Sequence, residues 1–187
     1  MTDEARTACT VVLSNENFPH ALLPGGSPLA PDSMLGGFHG TSLSTPAKVR
    51  SAGGFTAHGT NPSLLDHVEQ RKLDSAFRGT TELLSTPGGA AGAVQWAGNG
   101  GYVYEIRGVP TWDVNKALEG RVHSAGTYGG NPVRGELENA IPGEVPWTRV
   151  KRVGRVATNR AGQLVVSSWE TNPSFTGSRG SDSSSTA

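Results

Sequence analysis

Glu136-Leu137-Glu138 places two carboxylates one residue apart. On a regular strand their side chains would point to opposite faces, whereas at the junction of a turn and a strand both can reach one cleft. Three further polar stretches border apolar segments: Phe38-His39-Gly40-Thr41, Leu84-Ser85-Thr86-Pro87 and Trp112-Asp113-Val114-Asn115. Taken singly, each has a plain structural reading. Paired glutamates in a loop are solvated charges, a lone histidine caps an element or sits in a core, and Ser85 or Thr86 serves as an N-cap before Pro87. Their order and spacing along the chain are what give them weight.

Such residues act only if elements hold them, and this chain is built for short elements. Its 26 glycines and 12 prolines are spread through the sequence without a repeat, which predicts many turns and no long helix. Gly36 to Thr41 reads as a strand end entering a loop. Ser44-Thr45-Pro46 then offers an N-cap and a first-turn proline for a short helix through Val49, stopped by Gly53-Gly54. Leu64, Leu65 and Val68 fit one face of a second helix opened by Asn61-Pro62. Pro87 to Trp96 is alanine-rich, but Gly88, Gly89 and Gly92 each cost a helix about 1 kcal/mol relative to alanine, so it must lean on tertiary packing. Gly101 to Arg107 alternates aromatic or aliphatic residues with others and is the clearest strand. Arg149 to Val156 and Gln163 to Trp169 flank Thr158-Asn159-Arg160-Ala161-Gly162, a link that closes a hairpin. The apolar run Cys9 to Leu13 predicts one strand in an N-terminal extension, and the Ser/Gly/Thr-rich end predicts disorder from about Thr176. The expected organisation is an extension over 1–36, a domain over 37–172 and a tail over 173–187.

Bulk properties exclude several classes. A chain of 187 residues suffices for one domain with a real core. Sixteen basic residues balance sixteen acidic ones, which counts against an electrostatically driven nucleic-acid binder. The single cysteine, Cys9, excludes an internal disulfide and a cysteine-built zinc site. No stretch approaches the roughly 20 apolar residues that span a bilayer, and Asp3 and Glu4 stand where a secretory signal carries positive charge. The expectation is a soluble chain without a membrane partner or signal peptide, cytoplasmic unless it is a secreted or injected effector that travels by another route.

Read in order, Phe38-His39-Gly40-Thr41-Ser42, Ser44-Thr45-Pro46-Ala47-Lys48-Val49 and Gly53-Gly54-Phe55-Thr56 resemble the opening of the cholera and pertussis toxin catalytic subunits, which are mono-ADP-ribosyltransferases. Leu65-Asp66-His67 and Ser75-Ala76-Phe77 follow as in the pertussis-like members. Leu84-Ser85-Thr86-Pro87 looks like the family's Ser-Thr-Ser motif, with Thr80-Thr81 the alternative. Trp112-Asp113-Val114-Asn115, Glu136-Leu137-Glu138 and Val145-Pro146 fall where the toxins have an Asn-Val-Asn turn, a Glu-x-Glu pair and Ile-Pro. The resemblance runs from about Phe38 to Val153.

It implies an α+β ADP-ribosyltransferase fold, two short packed sheets around an NAD cleft with flanking short helices. The implied activity breaks NAD, a substrate needing no metal, at its nicotinamide bond and passes ADP-ribose to a target macromolecule, a protein arginine by the Glu-x-Glu pattern. By the same resemblance Glu138 stabilises the oxocarbenium ion, Glu136 prepares the incoming nucleophile, and Ser85 holds the Glu138 rotamer. Phe38, His39, Gly40, Thr41 and Thr86 would bind NAD. His39 departs from the arginine of these toxins; His-Gly-Thr is the pattern of the diphtheria-toxin and poly(ADP-ribose)-polymerase branch, and a neutral imidazole cannot grip pyrophosphate bidentately. The glycine-rich stretch Gly126 to Asn131 suits a substrate-recognising loop. The rival readings are an NAD glycohydrolase, a non-catalytic relative, and a nucleic-acid-modifying transferase; neutral charge and Glu136, where base-modifying relatives carry Gln, speak against the last. A toxin or effector of this kind also implies a delivery or immunity partner. Tyr102, Tyr104 and Trp112 are assigned to the core, and Trp147, Trp169, His58, His67 and His123 receive no role.

Overall fold

Four consecutive buried residues, Val103 to Ile106, mark a strand covered on both faces rather than the half-exposed strand that alternation suggests. That strand lies inside the main sheet of a computed structural model describing residues 21–22, 28–29, 36–70, 74–85, 92–119, 122–123, 126–127 and 137–177. In chain order the elements are β1 (Ala21–Leu22), β2 (Pro28–Leu29), β3 (Gly36–Thr41), α1 (Pro46–Ser51), β4 (Gly54–Phe55), a π-helical turn (Asp66–Gln70), β5 (Phe77–Thr81), α2 (Ala93–Ala97), β6 (Tyr102–Arg107), β7 (Trp112–Asp113) and α3 (Val114–Ala117). There follow β8 (Val122–His123), β9 (Gly126–Thr127), β10 (Glu138–Pro142), β11 (Val145–Pro146), a 3₁₀ turn (Trp147–Arg149), β12 (Val150–Thr158) and β13 (Leu164–Thr171).

The main sheet has the order β13-β12-β6-β3-β5-β10-β7, with every neighbouring pair antiparallel. Its two halves meet at one residue pair, Phe38 opposite Thr81, so β3 and β5 are scarcely joined. The two expected sheets are these halves: β13-β12-β6-β3 on one side and β5-β10-β7 on the other.

Local sequence explains the elements that hold the halves. Thr45 caps α1, accepting from the Lys48 amide, while Pro46 opens the helix and Val49 is buried. Asp113 caps α3 in the same way, accepting from the Lys116 amide at 3.1 Å. Against the β5-β10-β7 half, Trp112 is fully buried with its ring edge-on to Phe77. Tyr104, Phe55, Ile141 and Val150 form a second cluster, and Val103, Val156 and α2 a third. Of the expected third helix, Pro87 to Trp96, residues 92–96 are described and are helical from Ala93, and α2 packs so closely on β3 that a Cβ at Gly40 would lie 1.9 Å from the Ala93 carbonyl oxygen. On β6, buried Glu105 binds the guanidinium groups of Arg107 and Arg152. Burial alone would raise its pKa, but these two cations outweigh burial and hold it below the ordinary value.

The expected strand at Cys9–Leu13 lies outside the described residues. At the other end the Thr176 amide donates to the Thr148 carbonyl at 2.9 Å, and the rest of the expected tail, from 178, lies outside the described residues. Buried Asn172 anchors this end by donating to the carbonyls of Trp147 and Val150. No helix among the described residues is long and apolar enough to cross a membrane.

Candidate active site

Where the two sheet halves diverge, side chains from both converge on Gly79. His39 on β3 donates from Nδ1 to the Gly79 carbonyl oxygen across 2.9 Å. A carbonyl only accepts, so this bond puts the ring proton on Nδ1 and leaves Nε2 a lone pair. The ring also meets Phe55 edge-on at 5.1 Å. Burial first, and then the nearby charges of Arg78 and His58, push its pKa down to about 4, opposed only by the bond to Gly79. At neutral pH His39 is therefore an uncharged acceptor, suited to a hydroxyl or amide N–H.

Glu138 approaches Gly79 from β10, where it is the first residue and stands opposite Thr81. A Cβ at Gly79 would lie 3.0 Å from Glu138 Oε1, so the absence of a side chain there is what seats the carboxylate. Glu138 keeps 26% of its side chain exposed, enough for a ligand to reach it. His67 Nε2 lies 3.4 Å from the same oxygen, and His67 Nδ1 lies 2.7 Å from Ser75 Oγ. Donation from the Ser75 hydroxyl into Nδ1 would leave the proton on Nε2, facing Glu138. At 3.4 Å that contact is an electrostatic approach rather than a full hydrogen bond, as the unpartnered state of Nε2 confirms. Ser75, His67 and Glu138 thus form a chain in which one more shift of a few tenths of an ångström completes the last link. His67 reaches this position because the π-helical turn widens the backbone there.

The remaining residues singled out in the sequence are distributed differently. Thr80 and Thr81 are buried on β5 beside Glu138, whereas Ser85 is exposed beyond the strand. The hydroxyl pair next to Glu138 is Thr80-Thr81, not Ser85, because each residue of β5 is matched in register to β10 and Ser85 lies past the last pair. Thr80 Oγ1 donates to the Asn139 carbonyl, and Thr81 Oγ1 accepts from the Leu83 amide. Gly40 packs against α2, and Thr41 Oγ1 closes a turn by accepting from Leu43. Phe38 lines an open cleft of about 250 Å³ with Gly36, Gly37, Glu82 and Arg107, whose guanidinium lies 5.6 Å over its ring. Thr86 and Glu136 lie outside the described residues, as does the loop 128–131.

Sequence reading missed His67, Gly79 and Arg78. A signal for His67 was available, since Leu65-Asp66-His67 and Ser75-Ala76-Phe77 both belong to the resemblance, but only folding brings the imidazole, hydroxyl and carboxylate together. His58 also gains surroundings: its Nε2 lies 3.1 Å from Arg78 Nη1. Among the described residues no group of three or more His, Cys, Asp or Glu could hold a metal ion.

No protein-family model matches the chain, and no curated protein matches it in sequence. Solved structures do match. Scabin toxin from Streptomyces scabies in complex with NADH is similar over 74% of this chain and 73% of that one, at 22% identity and a TM-score of 0.54. A guanine-specific ADP-ribosyltransferase is similar over 79% of this chain and 83% of its own, at 18% identity and a TM-score of 0.55. At these identities the likeness concerns the fold, and with the split sheet and short helices above it gives the chain its place: this is an ADP-ribosyltransferase fold.

Proposed function

We propose that the chain is an ADP-ribosyltransferase of the toxin or effector kind, which cleaves NAD between nicotinamide and ribose and transfers ADP-ribose to an acceptor. The observation that carries this reading is the convergence of a neutral acceptor, His39 Nε2, and an accessible carboxylate, Glu138, on Gly79 from the two halves of the sheet. As the bond opens, its electron pair goes to the nicotinamide nitrogen and positive charge develops on the ribose. Glu138 supplies a fixed negative charge against that development. His67, itself set by Ser75, holds the carboxylate in one orientation, the task expected of Ser85, which lies exposed past the last β5–β10 pair. His39 accepts a hydroxyl or amide hydrogen of the bound nucleotide, and Glu136 takes the acceptor's proton. NAD fits the residues present, since a neutral imidazole and a carboxylate match a ribose and a reacting cation without requiring a metal.

Two acceptors have specific support. Glu136 favours a protein arginine, whose guanidinium needs a base to become a nucleophile. The guanine-specific transferase among the similar structures favours a guanine base. Incubating the protein with NAD labelled in its adenylate half, together with cell lysate or duplex DNA, separates the two by where label accumulates. Label recovered only as free ADP-ribose identifies a glycohydrolase, and unchanged NAD overturns the enzymatic reading.

A further inference from the structure

Phe38, Glu82 and Arg107 bring an apolar ring, a carboxylate and a guanidinium to one open cleft of about 250 Å³, lined also by Gly36 and Gly37. Pockets that hold whole drug-sized ligands run to roughly 300–1,000 Å³, so this one has room for a single planar group and not for a dinucleotide. Neither His39 nor Gly79 lines it. The strand register nevertheless sets it beside the reacting carboxylate. Phe38 stands opposite Thr81 and Thr81 opposite Glu138, so the three side chains share one face, with Phe38 and Glu138 two strand spacings, roughly 10 Å, apart. Arg107, opposite Gly36, belongs to the same face.

The polar ends in the cleft are available. Among the described residues Arg107 spends only its Nε–H in a hydrogen bond, on Glu105, and keeps 41% of its side chain exposed. Glu82 is exposed, and its carboxylate has one long contact, Asn139 Nδ2 at 3.4 Å. Lys151 and Arg152 gather with Arg107 on the same buried carboxylate, Glu105. Three cations on one carboxylate leave net positive charge beside the cleft, which repels an incoming arginine guanidinium and favours a neutral group carried on phosphates. Among nucleobases, guanine matches both polar groups. Its N1–H and N2–H are adjacent donors for a carboxylate, and its O6 and N7 are adjacent acceptors for a guanidinium fork. Adenine would set the lone pair of its N1 against Glu82, and cytosine has no two adjacent donors. N1–H and N2–H lie on the edge that pairs in a duplex, so the base that fits is an unpaired one.

We propose that this cleft is the acceptor site and takes an unpaired guanine, with Phe38 covering the base, Glu82 accepting from N1–H and N2–H, and the Arg107 Nη groups donating to O6 and N7. This rests on the transferase reading above and chooses between its two acceptors. A guanine nitrogen bonds to ribose C1′ as the bond to nicotinamide breaks with its electron pair on nicotinamide, and the nitrogen's proton goes to Glu136.

The test is titration of the full chain, without NAD, by calorimetry and NMR. The probes are guanosine, adenosine, cytidine, N-acetyl-arginine amide, and a short DNA with one guanine, single-stranded and as duplex; the proteins are the parent, Glu82→Gln and Arg107→Gln. Guanosine should bind the parent at least about tenfold more tightly than adenosine or cytidine, and either substitution should remove most of that preference, because each leaves one edge of the base unmatched. Should Arg107→Gln fail to fold for want of its bond to Glu105, Glu82→Gln, a change at an exposed residue, still decides. Equal affinity for guanosine and adenosine in the parent, an undiminished preference in Glu82→Gln, tighter binding of the arginine amide, or duplex bound as well as single strand overturns the proposal. Single-stranded DNA bound more tightly than guanosine assigns the base to a nucleic acid and equal binding assigns it to a free nucleoside; either supports the cleft. Failure of the wider reading looks different. A chain that prefers guanosine through Glu82 but leaves NAD intact keeps the cleft and loses the transferase. A chain that cleaves NAD and labels protein arginine while showing no guanosine preference keeps the transferase and loses this inference.

Discussion

Two residues at the convergence point differ in how their chemistry can be probed. On the proposed reading Glu138 faces the charge that develops on the ribose, so Glu138→Gln should reduce both transfer and NAD hydrolysis at least about a hundredfold, an effect on the order of 3 kcal/mol in the barrier. Glu136→Gln should instead reduce transfer while free ADP-ribose continues to form, and assays of both products in both variants check this; equal loss of the two in Glu136→Gln removes the division of labour. His39 reports on stability. Its folded-state pKa of about 4 lies below the 6.5 of an exposed histidine. On acidification the unfolded chain therefore takes up the proton first. The contribution of neutral His39 is complete above pH 6.5 and is lost as pH falls towards 4. The residue as a whole is only partly buried, so the loss should be on the order of 2 kcal/mol. Urea unfolding at pH 7 and pH 4.5 checks it, and a His39→Gln variant should show a shallower decline; parallel pH profiles would count against the burial of a neutral ring.

At the scale of elements, α2 and β3 are locked by the missing side chain of Gly40. A methyl there would meet the Ala93 carbonyl at 1.9 Å, and backbone cannot swing aside as a flexible side chain can. Gly40→Ala should destabilise the fold by about 2 kcal/mol or more and weaken NAD binding together with it, because His39 is the adjacent residue on the displaced strand. Thermal melting and NAD titration of the same variant check this, and an unchanged melting temperature would show that α2 is free to shift. The same scale explains which elements are legible in the sequence. The α1 helix, β6 and the β12-β13 hairpin are written in caps, prolines, apolar runs and a turn link, all read within about ten residues. The π-helical turn that presents His67 has no such signature, since its apolar spacing at Leu64, Leu65 and Val68 is also that of an ordinary helix.

For the molecule as a whole, sixteen cations offset sixteen carboxylates, so no long-range field draws in a polyanion. Transfer to a protein acceptor should accordingly change little between 50 and 200 mM salt, whereas a nucleic-acid acceptor held by several phosphate contacts would lose affinity by orders of magnitude over that range. Initial rates at the two salt concentrations, with each acceptor in turn, separate the cases. The sequence by itself determined the short elements, the order of the chemically active stretches and, through that order, the resemblance that anticipates this fold. It could not choose between Thr80-Thr81 and Ser85, because β-register is set by pairing with Glu138 and Asn139, residues far along the chain. Nor could it show that Gly79 receives His39 through its carbonyl and admits Glu138 through its bare α-carbon, or that Ser75 and His67 line up behind that carboxylate. Caps, turns and periodicity act between near neighbours and are visible in one dimension. Which side chains meet across a split sheet depends on contacts that exist only once the chain has closed.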